Sequence, residues 1–178
     1  MRRSVLGIVA VLFALSGCAG TAPTRMGPDG KPLPQVYRLS RAGSSKVQYR
    51  MLDGINALRE ARGLAPVELD PRLNGAAFDH SRDMASQHRA WDWGSDGSSP
   101  YDRVARAGFQ GALGSELVSQ TFETELDTLA AWMEDPAARD AILDPNATDI
   151  GFGFYQESSG LIWWTLLTGR SAAVMAGL

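Results

Sequence analysis

Apolar residues between Val47 and Arg62 fall at Val47, Met51, Leu52, Ile55 and Leu58, one stripe of a helix that Gly63 ends. Leu64-Ala65-Pro66-Val67 is a short connector. Asp70-Pro71 then reads as an N-cap followed by proline at the first helical position, where a missing N–H is harmless. Leu73, Ala76, Ala77, His80 and Met84 recur at helical spacing behind it and predict a second helix to about His88. The stretch from Trp91 to Ser99 is rich in Gly, Asp and Ser and predicts a loop. Pro100 to Ala107 predicts a short third helix, ended by Gly108.

Glu116 to Ser119 reads as a short extended segment. Phe122, Leu126, Leu129, Ala130 and Met133 mark a fourth helix, with Glu123 and Glu125 in the first turn where the helix dipole favours them. Asp135-Pro136 repeats the cap-plus-proline device and opens a fifth helix through Leu143, which Pro145 closes. Ile150, Phe152 and Phe154 alternate with Gly151 and Gly153, which is strand periodicity. After a turn at Glu157 to Gly160, Leu161 to Thr168 is apolar enough for a buried second strand. Helices first and a terminal hairpin predict a single α+β domain over residues 46–178, not an alternating parallel sheet.

Upstream the pattern changes. Residues from Ala19 to about Ser45 hold Pro23, Pro32, Pro34, Gly27 and Gly30 without apolar periodicity, the composition of a flexible tether. The start places Arg2 and Arg3 before an apolar run from Val5 to Leu15 and small residues at Ser16-Gly17, the layout of a signal peptide. That run is well short of the ~20 residues a spanning helix needs. Leu15-Ser16-Gly17-Cys18 resembles the bacterial lipobox at every position. The resemblance implies cleavage before Cys18, a diacylglyceryl group on its thiol, and usually acylation of the new amine. The expected division is 1–17 signal peptide, 18–45 lipidated cysteine and tether, 46–178 domain.

Cys18 is the only cysteine of the 178 residues, so the domain has no internal disulfide and depends on its core. Two acyl chains anchor stably, at roughly 0.8 kcal/mol per buried CH₂. Ala19, where an aspartate tends to mean inner-membrane retention, points by the same resemblance to the periplasm-facing leaflet of the outer membrane. A membrane is therefore the first expected partner. Lys and Arg total 17 against 20 Asp and Glu, with no basic run and no aromatic–basic interleaving, which excludes a nucleic-acid surface.

Within the domain, Ile55-Asn56-Ala57-Leu58-Arg59, Gly63-Leu64 and Leu69-Asp70-Pro71-Arg72-Leu73 stand in a telling order. Ala77, His80-Ser81, Asp83-Met84-Ala85, Asp96-Gly97-Ser98-Ser99-Pro100, Asp102-Arg103 and Ala107-Gly108 follow. Ala131-Trp132-Met133, Ile142-Leu143-Asp144-Pro145, Ile150-Gly151-Phe152-Gly153 and Trp164-Thr165 complete it. The series resembles the CAP superfamily (cysteine-rich secretory protein, antigen 5, pathogenesis-related 1) in its bacterial SCP-like branch, from about Met51 to Gly169. That resemblance implies an α-β-α sandwich with a cleft on one face, commonly holding two histidines and one or two acidic residues able to coordinate a divalent metal.

Carried over position by position, this set is depleted. The first family histidine corresponds to Asp92, with Gly94-Ser95-Asp96-Gly97 fixing the register. The glutamate of the family's Gly-Glu-Asn motif corresponds to Ser115 in Gly114-Ser115-Glu116, or to Glu116 after a one-residue shift, and the second histidine corresponds to Ala138. Imidazole suits zinc-like metals, whereas carboxylates alone favour harder ions held by more ligands. No metal or cofactor is expected. Asp92 and Glu116, with Glu134, read as a solvated acidic cleft wall ahead of an oxygen site for calcium or magnesium.

His80 and His88 are the only histidines. His80 lies on the apolar stripe of the second helix and reads as a hydrogen-bonded core residue, while His88 ends that helix. Eight positions apart, they do not share the i, i+4 ligand face of a helix. Ser115 has no base placed by sequence to take its proton. Trp132 and Trp164 read as core; Trp91 and Trp93 are candidates for a ligand groove. The expectation is a non-catalytic binding or scaffolding module taking a lipid, peptide, glycan or protein. A weak hydrolase or metal-dependent activity in the cleft is the alternative, and a purely structural envelope lipoprotein the third.

Overall fold

The computed structural model describes residues 37–40, 43–121, 123–172 and 177. Cys18, the expected signal peptide and most of the expected tether lie outside the described residues. The chain divides into two units, Met1–Gln35 and Val36–Leu178, and everything described belongs to the second.

In chain order the elements are α1 (Ser44–Glu60), β1 (Glu68–Leu69), α2 (Pro71–Gln87), α3 (Pro100–Arg106), β2 (Gly111–Thr121), α4 (Glu125–Glu134), α5 (Pro136–Ile142), β3 (Asp149–Gln156) and β4 (Ile162–Ser171). The strands form one sheet in the order β1-β3-β4-β2. β1 runs parallel to β3, while β3–β4 and β4–β2 are antiparallel. Among the described residues no helix is long and apolar enough to cross a membrane.

Strand alternation divides the core into two faces. On one, Ile150, Phe152, Trp164 and Leu166 pack with Val47, Met51 and Ile55 of α1, Leu129 and Trp132 of α4, and Ala138 and Ile142 of α5. On the other, Leu167 packs with Leu73, Ala76 and Ala77 of α2 and Val104 of α3, and Trp163 with Met84 and Ala85. The result is the expected α+β domain, an α-β-α sandwich. The alternating glycines of β3 have a packing cause. A Cβ on Gly151 would lie 2.2 Å from the Leu73 carbonyl carbon, and one on Gly153 2.2 Å from Phe78 N. α2 therefore rests directly on the backbone of β3, closer than any side chain permits.

The caps formed where the sequence placed them. Asp70 accepts from Arg72 N and Leu73 N with Pro71 following, and Asp135 accepts from Ala138 N with Pro136 following. α4 starts later than its apolar pattern predicted, at Glu125, because Thr124 and Asp127 form a reciprocal capping box. β2 extends beyond Glu116–Ser119 on both sides, and β1 lies between the connector Leu64–Val67 and the cap Asp70, where no element was expected. Arg59, fully buried, ties α1 to the far end of the domain by donating to four carbonyls: Ala65, Ile142, Asp144 and Ala147.

The domain also takes in residues ahead of the expected boundary at 46. Tyr37 and Leu39 pack against the α1/α4 cluster. Leu39 N donates to Gln156 Oε1 at 2.9 Å, and the Tyr37 hydroxyl donates to Glu125 Oε2 at 2.6 Å. The domain therefore takes in Tyr37 and Leu39, which supply one aromatic and one aliphatic anchor.

Candidate functional site

The site is assembled where α2, α3 and the 91–99 loop meet β2. Ser99 and Asp102 cap α3 reciprocally with Pro100 at its first position, and this fixes the direction in which Arg103 leaves the helix. The Arg103 guanidinium donates to Ser98 O at 2.9 Å, to Asp92 O at 2.8 Å and to Glu116 Oε2 at 2.6 Å. One side chain thus clamps the loop to the helix and to the edge strand.

Glu116 reaches this clamp because β2 is bulged. Leu113 pairs with Gly169 but Ser115 with Thr168, so Gly114 is the extra residue. Leu113 packs in the α2/α3 cluster, and the slip returns Glu116, opposite Leu167, to that same face. Ser115, opposite Thr168, is left on the α5 side. Glu116 is thus the acidic residue on the α2/α3 side of the sheet, and Ser115 faces away from it.

Glu116 is not part of a solvated wall. Its side chain is 3% exposed, and burial raises its pKa to about 7, opposed by the hydrogen bond and charge of Arg103. His80, fully buried on α2, lies with its Nε2 2.9 Å from Trp91 O. A carbonyl can only accept, so Nε2 carries the proton and Nδ1 is a bare acceptor. Burial first, then the nearby Arg103 charge, lowers the His80 pKa to about 4. The imidazole is therefore neutral at pH 7, and its 3.6 Å approach to Glu116 Oε2 is no ion pair. His80 Nδ1, Arg103 Nε and Glu116 Oε1 are buried with no hydrogen-bond partner among the described residues.

Outside this cluster opens a groove of about 680 Å³. One wall is the outer stripe of α2, Arg72, Gly75, Ala76, Asp79 and Asp83; Arg103 and Arg106 of α3 stand opposite, and His80 lies at its base. The loop is held in place by Asp83, which accepts from Ser95 N at 2.7 Å and Gln87 Nε2 at 2.9 Å. Asp96 accepts from Ser98 N and from Arg106 at the rim.

The expected site residues divide between the two sides of the sheet. Asp92 is exposed in the loop; its backbone carbonyl accepts from Arg103, and its carboxylate charge acts on Glu116 and His80. Ala138 is buried in α5 within the α1/α4/α5 cluster, and Glu134 is exposed at the end of α4. Ser115 and Ala138 therefore do not gather around Glu116, and Glu134 does not join Asp92 and Glu116 as an oxygen site. Among the described residues no three His, Cys, Asp or Glu side chains converge in a metal-holding group.

Trp91 and Trp93 stay off the groove walls. The Trp91 indole donates to Gln87 Oε1 and carries the Arg89 guanidinium 4.0 Å above its ring, while Trp93 is half exposed. His88 is exposed at the end of α2 with a left-handed φ of 52°. Trp132 and Trp164 are core. The residue that sequence reasoning missed is Arg103. Its signal was Ser99-Pro100-Tyr101-Asp102, a cap, proline and box acid that set the facing of the next residue.

Comparison with known proteins places the chain. The family profile described as CAP, the cysteine-rich secretory protein family, matches residues 52–167. The Bacillus subtilis protein YkwD is 29% identical over 130 residues, 71% of this chain, and the chain spans 48% of that relative's length. Among solved structures, an extracellular SCP-domain protein of Bacillus anthracis superposes with a TM-score of 0.67 at 19% identity, over 76% of this chain and 45% of that one. An outer surface protein of Borrelia burgdorferi superposes with a TM-score of 0.65 at 15% identity, over 77% of this chain and 99% of its own.

Proposed function

The chain belongs to the cysteine-rich secretory protein (CAP) family, and from that premise we propose that it is an envelope lipoprotein whose CAP domain is a non-catalytic binding module. The α2/α3 groove is its binding surface. At about 680 Å³ the groove falls in the size range of ligand sites, roughly 300–1,000 Å³. The observation that carries the reading is the withdrawal of the titratable groups beneath it. Glu116 is committed to Arg103, the His80 N–H to Trp91, and both side chains are buried. A general base must reach the proton it takes. These two do not.

The lipobox at Leu15–Cys18 supports anchoring through lipid on Cys18, in the periplasm-facing leaflet of the outer membrane. The surface and extracellular names of the two structural relatives fit such a placement. Mass spectrometry of the full chain from membranes tests the anchor: a diacylglyceryl adduct on Cys18, absent in Cys18→Ser together with membrane retention, is the expected result. An unmodified Cys18 in a released protein overturns it.

One observation favours a second reading, a weak hydrolase. A carboxyl with a pKa of about 7 is tuned as acid–base catalysts are. Purified protein assayed on ester and peptide panels discriminates. Under the binding reading no hydrolysis rises above background; turnover lost in a folded Glu116→Gln variant replaces that reading with the hydrolase.

A further inference from the structure

We propose that the outer edge of β2 pairs with the same edge of a second copy of this chain, antiparallel about a two-fold axis at Val118. β2 ends the sheet order β1-β3-β4-β2, so only its inner side has a strand beside it. Ser115 to Thr121 pairs without interruption with Thr168 to Ile162 of β4. In such a ladder alternate residues turn their N–H and C=O away from the partner strand. Among the described residues no other backbone hydrogen bond takes up those outward groups between Ser115 and Thr121.

The two edges of the sheet are built differently. β1, at the far edge, is two residues long, stands between Pro66 and Pro71, and carries exposed Glu68. Shortness, proline and charge are the devices that keep an edge strand from pairing with another chain. β2 has none of them from Ser115 to Thr121. It is 11 residues long without a proline, and its one charged side chain, Glu116, is 3% exposed and tied inward to Arg103. Its bulge at Gly114 lies outside the regular stretch. One edge is closed to association and the other is open, so pairing at β2 ends at two copies and does not run on into a fibre.

The stretch also complements itself. With the axis at Val118, that residue faces its own copy, Leu117 faces Ser119, Ser115 faces Thr121, and Glu116 faces Gln120. No charge meets a like charge, and a serine and a threonine hydroxyl pair across the strands at either end. Val118 and Leu117, both half-buried, gain apolar neighbours at the centre. This match belongs to the strand with itself, and it names a second copy as the occupant ahead of a strand from another chain. The contact runs along about 24 Å of strand at ~3.4 Å per residue, the scale of a weak, reversible interface.

The test uses the full chain with Cys18→Ser in detergent micelles, so that an introduced thiol is the only one. Val118→Cys sets two thiols on residues roughly 5 Å apart across the axis, within reach of a disulfide. Gln120→Cys sets them roughly 14 Å apart along the strands, out of reach. On oxidation by copper–phenanthroline, Val118→Cys is expected to give a disulfide dimer and Gln120→Cys to stay monomeric, both keeping the circular dichroism of the parent chain. Sedimentation of the parent chain is expected to show a concentration-dependent dimer, which Ser119→Lys weakens roughly tenfold or more. Cross-linking at Gln120 as strong as at Val118 would mean random collision and overturns the paired edge. No disulfide at Val118 overturns it as well; a monomer at every concentration would then leave the edge to a strand of another chain. Either failure leaves the groove reading untouched, because neither Val118 nor Gln120 lines the groove.

Discussion

Glu116 stands opposite Leu167 on β4, on the α2 side of the sheet, because Gly114 is the extra residue of a bulge. Without the bulge the strict alternation of a strand would put Ser115 there and send Glu116 to the α5 side. One glycine thus decides that a carboxylate is buried beneath the groove, and the pH behaviour of the domain follows from it.

Glu116 has a folded pKa raised from 4.5 to about 7, so the native state binds more protons than the unfolded one between those values. Its contribution makes stability fall as pH rises from about 4.5 to 7. His80, lowered from 6.5 to about 4, does the reverse: the native state binds fewer protons, and stability rises with pH from about 4 to 6.5. The two slopes oppose each other over the shared interval. Urea unfolding of the wild type is expected to vary little between pH 4.5 and 6.5. Glu116→Gln removes the falling slope, so its stability is expected to rise with pH across that interval. A flat profile in this variant contradicts the pair of shifts.

Arg103→Ala removes the cation from a buried pair and leaves Glu116 with no counter-charge. Breaking a buried ion pair from one side costs on the order of 3 kcal/mol. Because an unpaired Glu116 can escape by taking up a proton, the loss is expected to be smaller at pH 5 than at pH 8. Denaturant midpoints at the two pH values, with unchanged m, check this. An equal loss at both would mean that Glu116 stays ionised without its partner.

Much of this architecture was legible in the chain. Asp70-Pro71 and Asp135-Pro136 announced helix starts because cap chemistry is local, and Ile150 to Phe154 announced a strand because period two is local as well. β2 was mostly hidden: Gly111, Gly114, Ser115 and Gln120 dilute its apolar positions, and the edge strand is half covered. Two-residue β1 has no period at all. The docking of Tyr37 was invisible because its partners, Glu125 and Gln156, lie far along the chain. The burial of Glu116 depends on a bulge and on the approach of α3, neither written near residue 116. Ala138 shows the opposite case: it was expected at a cleft position only through the resemblance, and its place in an apolar cluster came from the packing of α5.

Glycine substitutions should separate the two roles that glycine plays on this face. Gly151→Ala and Gly153→Ala each force a methyl into the backbone of α2 and are expected to cost about 1–3 kcal/mol or more. Gly75→Ala, on the exposed side of the same helix, replaces the poorest ordinary helix former with the best. It is expected to gain about 0.5–1 kcal/mol. Thermal melts of the three variants are the measurement; a destabilised Gly75→Ala would mean that the stripe is not open.

The docking of residues 37–40 can be tested at a single hydroxyl. Tyr37 donates to Glu125, which is 1% exposed, and receives a hydrogen bond from Arg50 at 2.7 Å; Arg50 also pairs directly with Glu125. Burial, then the hydrogen bond to Glu125, raises the Tyr37 pKa to about 12, so the hydroxyl remains a donor throughout the physiological range. Tyr37→Phe keeps the ring in the α1/α4 cluster and removes only the bridging oxygen. Glu125 retains Arg50, so the expected loss is about 1 kcal/mol, that of one hydrogen bond near a charge, not the collapse of the helix pair. The larger effect should be local. Residues 37–40 hold to the domain by the Tyr37 hydroxyl, the two bonds of Gln156 and the Leu39 contact, and losing one of these few ties favours opening of the segment. Limited proteolysis is expected to cut between 37 and 43 several-fold faster in Tyr37→Phe, while amides of β4 keep wild-type hydrogen-exchange protection. Unchanged cleavage would show that the two bonds of Gln156 and the Leu39 contact secure the segment without the Tyr37 hydroxyl.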